Sequence, residues 1–503
     1  MWSFDFAQFD HHDRVSKFLL TVFFSLIIFY LFKRAWEIFR LPPGPYGLPI
    51  LGYLPFLKEN KTEQYIRLGR KYGSPFSIHL GKYDFIIIND WYHANEAYNN
   101  EELLDRPPEG ILGGLLADRS VVDLSGQAWK DQIRFFLHLL RDFGLGKSEL
   151  EEKIKEEIET FVNELDKKRE KPFNISSLLS ASVSNNISLL THGKRFEYDD
   201  KERRKLLHYI QEASGNATFL GLATAMPFLV KALRFLGSQK YKVFMEALTS
   251  PNGFNEVKMD KNCGQKYEPI SDYVDRFLEK MEELEQKGLP QGSFNFSVLK
   301  ANIVALFAAG STTIFSTMSW LILLLVKYPH YQSKIREEIS QIIGSRTAFY
   351  EDRFSLPFTM AFIYETLRYR TNVHLALPRY GNKDIRVGDC LIPKGTRFIV
   401  NSYAIDHDPI LWSDPDKFYP ERFLSEDRKK NVLPAHFIPF GGGKRKCIGE
   451  SMAMVSLFQY LTSIVQKYSL GSHEGPDKVC DKPKNGYVSF PAHMPRITVQ
   501  LVQ

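Results

Sequence analysis

Cysteine is scarce in this chain: 503 residues contain four, Cys263, Cys390, Cys447 and Cys480, far apart and with no Cys-x-x-Cys pair. That argues against a zinc site and a disulfide framework, and points to a reducing, cytosol-facing body. Sequons at Asn174, Asn186, Asn216 and Asn295 are then expected to stay unused. A Pro/Gly/Ser-rich linker, an internal repeat and a low-complexity segment are also missing from the middle of the chain. A length that could hold two or three average domains therefore reads as one large globular unit. Excess charge is lacking as well. The net charge is +6 and bases alternate with acids, as from Glu151 to Lys171, so a nucleic-acid role has no support.

Apolar residues make up 44% of the chain, enough for a substantial core, and the 14% aromatic share suits a protein that encloses an apolar ligand. Charge vanishes from two stretches, Phe18 to Phe32 and Ala301 to Val326. The first, extended by Val15 to Lys17, reaches roughly the 17-residue lower limit for a spanning helix. Asp5, Asp10 and Asp13 precede it and Lys33, Arg34 and Arg40 follow, which puts its C-terminal side in the cytosol. The acidic start and the missing small-residue cleavage site argue against a signal peptide. The expected organisation is a short lumenal N-terminus over 1–17, a transmembrane anchor with basic flank over 18–40, and a single large globular body over 41–503. The body opens on a stiff hinge at 41–45, Leu-Pro-Pro-Gly-Pro, where three prolines supply no backbone donor.

Within the body, Phe76 to Asn89 reads as a hairpin broken at Gly81-Lys82-Tyr83-Asp84. Trp129 to Phe143 reads as a helix with Trp129, Phe136 and Leu140 on one face, and Lys147 to Lys171 as a solvated, heavily charged helix. Ala301 to Val326 is long enough, at about 39 Å, to cross a bilayer. Its centre argues otherwise: Gly310, Ser311, Thr312, Thr313, Ser316, Thr317 and Ser319 suit a buried helix whose groove admits a small polar ligand.

The richest stretch is Phe440-Gly441-Gly442-Gly443-Lys444-Arg445-Lys446-Cys447-Ile448-Gly449, leading into a helical pattern from Met452 to Val465. The glycines permit backbone conformations closed to other residues. Cys447 falls near a helix start, where amides, dipole and three neighbouring cations are expected to favour a thiolate. A basic surface loop with an inert cysteine is the plain alternative. The fixed positions Phe440, Gly443, Arg445, Cys447 and Gly449 resemble the haem-thiolate signature of the cytochrome P450 monooxygenases. That resemblance implies Cys447 as the axial ligand of haem b (iron protoporphyrin IX).

Further stretches resemble the same family. Ala309-Gly310-Ser311-Thr312-Thr313 is similar to its oxygen-binding helix, which implies Gly310 near the iron and Thr313 as the oxygen-activating threonine; Thr312 stands where the family has an acid. Glu365 and Arg368, one helical turn apart, resemble its Glu-x-x-Arg, and Arg422 in Pro420-Glu421-Arg422-Phe423 resembles the arginine that completes that network. Trp129 and Arg379 match positions that contact haem propionates. The arginine expected four residues after Trp129 is replaced by Ile133, and Arg134 is turned off the Trp129 face, so docking of a redox partner is its expected role.

The resemblance covers the whole chain and is nearest to the microsomal animal type, second-clan-like, with Trp129 to Lys147 matching that clan. It implies a mainly α fold with small β-sheets. It also implies an endoplasmic reticulum enzyme that hydroxylates or epoxidises an apolar xenobiotic, steroid or fatty acid. Electrons come from NADPH through a separate reductase, and cytochrome b5 is allowed as a second donor. Lys130, Arg134, Lys444 and Lys446 would form the docking face. By resemblance Ala213 to Leu248, with Phe219, Leu220, Met226, Phe228 and Phe235, roofs the substrate pocket, and Val373, Leu375 and Leu377 are lining candidates beside a packed His374. An O₂-independent isomerase or dehydratase of the same fold, and a non-catalytic haem or lipid binder, are the rival readings.

Overall fold

The structure, a computed structural model, describes residues 6–58, 60–110, 119–142, 148–201, 203–204, 207–208, 210, 226, 235–238, 242, 272–484 and 486–502. Among these residues the helices are α1 (Phe6–Phe39), α2 (Lys61–Tyr72), α3 (Trp91–Asn99), α4 (Gly126–Asp142), α5 (Ser148–Asp166), α6 (Ser176–His192), α7 (Tyr273–Gln286), α8 (Phe296–Lys327), α9 (Pro329–Ile342), α10 (Pro357–Tyr369), α11 (Ser402–Asp406) and α12 (Glu450–Lys467). The strands are short: β1 (Phe76–Leu80), β2 (Tyr83–Ile88), β3 (Arg379–Tyr380), β4 (Ile385–Val387), β5 (Cys390–Ile392), β6 (Arg397–Val400), β7 (Tyr468–Ser472) and β8 (Ile497–Leu501). The molecule is thus mainly helical with small sheets.

Helix α8 organises the core. Asn295 caps it, its side-chain oxygen accepting from the Val298 amide at 3.0 Å. Every residue from Ile314 to Val326 is buried, as expected of a helix that is apolar on all sides. It packs against α6, α7, α9, α10, α12 and β7. Length and hydropathy alone would let both α8 and Ser16–Phe39 cross a membrane, but 83% of the apolar window of α8 is buried and none of the window in Ser16–Phe39 is. The two uncharged stretches therefore part ways: one is core, and the other projects an unpartnered apolar surface.

The expected hairpin forms between β1 and β2, with Phe76 opposite Ile87 and Leu80 opposite Tyr83. Gly81 supplies the left-handed residue of its turn, with φ 62°. β2 then pairs in parallel with β6, and β6 antiparallel with β3, giving the order β1-β2-β6-β3. β4 pairs with β5, and β7 with β8. The proline-rich segment lies on this sheet. Ser77 donates its amide to Pro43 O at 3.1 Å, and a Cβ at Gly44 would overlap the Ser77 carbonyl.

Two sequons are occupied by structural work. Asn186 is buried and donates to the Tyr460 hydroxyl at 3.2 Å, and Asn295 is the cap of α8.

Candidate functional site

The loop before α12 is held shut by its own backbone and by α3. Cys447 donates its amide to Phe440 O at 2.9 Å. Gly441 and Gly443 have φ of 74° and 66°, and a Cβ at Gly443 would overlap the Tyr98 carbonyl oxygen. No other residue fits there. A 3-10 turn over Gly443–Arg445 follows, and α12 begins with Gly449 as its cap. Phe440 and Ile448 are half-buried against the main core, so the cysteine is fixed from both sides.

The expectation that flanking cations hold the thiol low is corrected by the structure. Cys447 is exposed by surface area, yet burial of its sulfur is the largest influence and pushes the thiol up. The Gly449 and Glu450 amides and Lys446 oppose that rise, and the Glu450 carboxylate adds to it. The cations are engaged elsewhere: Lys444 pairs with Glu101, Lys446 with Glu450 at 2.6 Å, and Arg445 turns to main-chain carbonyls.

Three arginines converge beside this loop. Arg445 donates to Leu104 O at 2.7 Å and to Leu124 O, with its guanidinium 4.0 Å over the Trp129 ring. Arg379 donates to Gly442 O at 2.8 Å and lies over Tyr98. Arg106 donates to Leu377 O at 2.9 Å and Pro378 O at 2.8 Å. None of the three forms a close ion pair with a carboxylate among the described residues, and Asp105 and Asp123 act on Arg445, and Asp123 on Arg106, only from a distance. Burial, and then Arg106 and Arg379, pull Arg445 down to about 9; burial pulls Arg379 to about 10, with Tyr98 opposing and Arg106 adding to the fall; Arg106 is lowered by burial. A guanidinium does not give up its proton to relieve such stress, so the cluster calls for an anion. The donor set fits haem: cations for two carboxylates, and a thiol on the loop that carries one of those cations.

Arg106 was not legible as a member of this cluster, since Arg106-Pro107-Pro108 has no helical or strand period to place it. The structure also shows where the Trp129 helix departs. Ile133 packs against the core while Arg134 is exposed, so the cluster draws its arginine from a different segment. Lys130, Lys444 and Lys446 are exposed too.

On α8, four hydroxyls bond back one turn. Ser311 donates to Phe307 O, Thr313 to Ala309 O at 2.7 Å, Thr317 to Thr313 O at 3.0 Å and Ser319 to Phe315 O at 2.7 Å. Thr312 is buried and its hydroxyl has no partner among the described residues. Ala309 is exposed between buried Phe307 and Ser311, so the helix presents an open surface at this level. Gly310 faces α6, where a Cβ would stand 2.7 Å from Ile187 Cδ1.

Behind the loop, Glu365 and Arg368 are completely buried and bidentate, Nε to Oε2 at 2.7 Å and Nη2 to Oε1 at 2.8 Å. Arg422 Nε stands 3.1 Å from Glu365 Oε2. Arg368 continues to Asp406 O and Pro415 O, both at 2.8 Å, tying α10 to the segment before the loop. Past α10, Val373 to Leu377 are half-buried. Burial lowers His374 to about 4, so it is a neutral residue packed near Tyr403. Of the roof residues, Phe219, Leu220 and Phe228 lie outside the described residues; Met226 is buried and Phe235 exposed.

Comparison with known proteins agrees with this geometry. A family model described as Cytochrome P450 matches residues 42–499. The chain is 33% identical to the "Vitamin D(3) 25-hydroxylase" of Sus scrofa over 491 residues, covering 94% of this chain and 96% of the relative. It is 34% identical to "Cytochrome P450 2A8" of Mesocricetus auratus over 500 residues, covering 97% and 99%. Against "Cytochrome P450 2G1" of Oryctolagus cuniculus it is 34% identical over 502 residues, covering 94% and 96%.

Proposed function

Because the chain belongs to the cytochrome P450 family, and is therefore a haem monooxygenase, we propose that it is a membrane-anchored enzyme hydroxylating or epoxidising an apolar substrate with electrons drawn from NADPH through a flavoprotein reductase. The uncovered apolar helix Ser16–Phe39 supports the anchor. On this reading Cys447 is the only protein ligand to iron, and Arg106, Arg379 and Arg445 hold the haem carboxylates beside Trp129 and Phe440. The buried arginine cluster, in which no member forms a close ion pair with a carboxylate among the described residues, is the observation that carries it.

When bound, haem supplies reductive activation of O₂. The chain supplies position and protons. Thr313, whose hydroxyl hydrogen is engaged by Ala309 O, keeps oxygen lone pairs free to accept from a neighbouring donor. Thr312 can relay a proton but holds no charge reservoir. Gly310 lets α8 approach α6 closely and so fixes the depth of this turn. Val373, Leu375 and Leu377 offer an apolar wall that keeps water from the substrate. Glu365, Arg368 and Arg422 hold α10 and the following segment against the loop.

One relative is named as a vitamin D(3) 25-hydroxylase, which supports including that compound with steroids, fatty acids and xenobiotics in a spectral binding screen. The deciding experiment is reconstitution with reductase and NADPH alongside Cys447→Ser. The wild type should give product and a red-shifted band for its reduced carbon monoxide complex, and the variant should lose that band. Turnover of an organic hydroperoxide without reductase, with none on NADPH, would overturn the reading.

A further inference from the structure

The segment after α10 is stitched to α8 at the turn that carries Thr313. Asn372 Nδ2 donates to Thr313 O at 2.8 Å and to Thr317 Oγ1 at 2.7 Å. Thr317 itself donates to the same Thr313 carbonyl at 3.0 Å. A carbonyl that in a regular helix serves one amide is therefore drawn on by a side-chain amide and a hydroxyl as well. Such extra bonds pull a helix open locally.

Asn372 is itself held from behind. The Ser489 amide donates to Asn372 O at 2.8 Å, and Val373 bridges to Val488. The Ser489 carbonyl accepts from Ser316 Oγ and from Trp320 Nε1, both at 2.6 Å. The two segments thus form one brace along a single face of α8. At the centre of the brace, Asn372 Oδ1 is buried with no partner among the described residues, and so is Ser489 Oγ. Buried polar atoms in native proteins are nearly always satisfied, by water where protein offers nothing.

We infer that Asn372 is a positioning residue for Thr313: its amide nitrogen fixes the opened turn from Ala309 to Thr317, and its oxygen anchors an ordered water beside that turn. The inference rests on the reading of Thr313 as the threonine of the oxygen side. It gives the chain a neutral brace on the helix where a carboxylate at position 312 is missing.

The test uses full-length enzyme in bilayers for turnover and in detergent for crystallography, with Asn372→Leu and Asn372→Val, both of which lack the donor, and Asn372→Gln. The wild-type crystal structure should show a water on Asn372 Oδ1, and in Asn372→Leu that water should be gone and the Thr313 hydroxyl released from Ala309 O. The ratio of product to NADPH consumed should fall roughly three- to tenfold in the Leu and Val variants, the worth of one side-chain hydrogen bond, and recover in part in Gln. A purely structural strut predicts lower melting temperatures with an unchanged ratio, and that result overturns the inference. So does a wild-type structure with no water at Oδ1 and an unmoved Thr313 in Asn372→Leu. If the wild type makes no NADPH-supported product the functional reading fails, while the two crystal structures still decide the role of Asn372.

Discussion

Arg34, near the end of α1, grips Asp84 on β2. Its Nη1 donates to Oδ2 at 2.9 Å and its Nη2 reaches Oδ1, while His79 Nδ1 lies 2.8 Å from that Nη2 and 2.9 Å from Oδ1. Arg40 adds a second tie, to Asp384 at 3.0 Å. The long apolar helix is therefore fastened to the body by side chains as well as by the prolines between them. Asp84→Asn should raise the rate of proteolytic cleavage at residues 41–45 in liposomes by about tenfold, the equivalent of one charge-assisted hydrogen bond. Against a desolvation that would raise it, bonds from His79 and Arg34 bring the Asp84 carboxyl from 3.8 to about 2. A lowered carboxyl stabilises above its unfolded value, so the tie should be intact above about pH 4 and lost as pH falls toward 2.

Removing one of the three clustered arginines should act with opposite sign on the haem-free and haem-loaded protein. Arg106→Met takes a charge from a mutually repelling, buried group, and haem-free protein should gain about 1–3 kcal/mol in denaturant titration. The loaded protein loses a carboxylate partner, so its rate of haem transfer to an acceptor protein should rise. An equal shift in both states would show that Arg106 serves packing alone.

Glu365→Ala leaves Arg368 as a completely buried guanidinium stripped of its partner. The expected cost is roughly 3–5 kcal/mol, enough to consume a large share of a typical domain's stability. Little folded, carbon monoxide-binding protein should accumulate. Lys334→Ala, which removes a partly exposed partner of Glu421, should change the melting temperature by less than about 2 °C.

The unpartnered, buried Thr312 hydroxyl makes position 312 receptive to a carboxyl group. Burial without a bonded cation would raise the carboxyl of Thr312→Asp, leaving it protonated and able to donate. The product-to-NADPH ratio should therefore rise in Thr312→Asp and peroxide release should fall. Thr313→Ala should do the reverse, by a factor of about ten or less if water partly substitutes for the hydroxyl. Tight coupling in the wild type, unmoved by either change, would place the proton route elsewhere.

Lys444 and Lys446 are already paired with acids, whereas Arg134 and Lys130 are exposed on α4 without an ion pair among the described residues. Charge reversal by Arg134→Glu should weaken reductase binding and flatten its salt dependence, and Lys444→Glu should do so less. Loss of haem in Arg134→Glu would instead mean that this side chain reaches the propionate cluster.

Local pattern carried much of this architecture. The hairpin at 76–89, the helices at 129–143 and 452–465 and the uncharged core helix were all legible, because each follows from periodicity, turn residues or the absence of charge over a single segment. The loop of Cys447 was legible because its glycines, cations and cysteine form one contiguous pattern, although the contact that makes Gly443 obligatory, with the Tyr98 carbonyl on α3, is distant in sequence. What escaped depends on partners hundreds of residues away. Nothing near Arg106 announces that it meets Arg379 and Arg445. The charge around Cys447 was misjudged because Glu101, which occupies Lys444, is remote in sequence, and because Glu450, only three residues past the cysteine, takes up Lys446. Asn372 carries no local signal, because its partner, the Thr313 carbonyl, stands 59 residues earlier in the chain.

The arginine cluster also sets a timetable. Its members sit at positions 106, 379 and 445, and Arg445 closes on carbonyls at Leu104, Val121 and Leu124. β2 likewise finds its parallel neighbour only at Arg397–Val400. A ribosome adding about 5–20 residues per second needs roughly 20–90 s to reach Arg445, and until then the carbonyls of Leu104, Val121 and Leu124 lack the arginine that closes on them. The apolar anchor emerges at the very beginning. The growing chain therefore waits on the membrane surface, hairpin edge and future cofactor walls uncovered, until its last quarter arrives to close them.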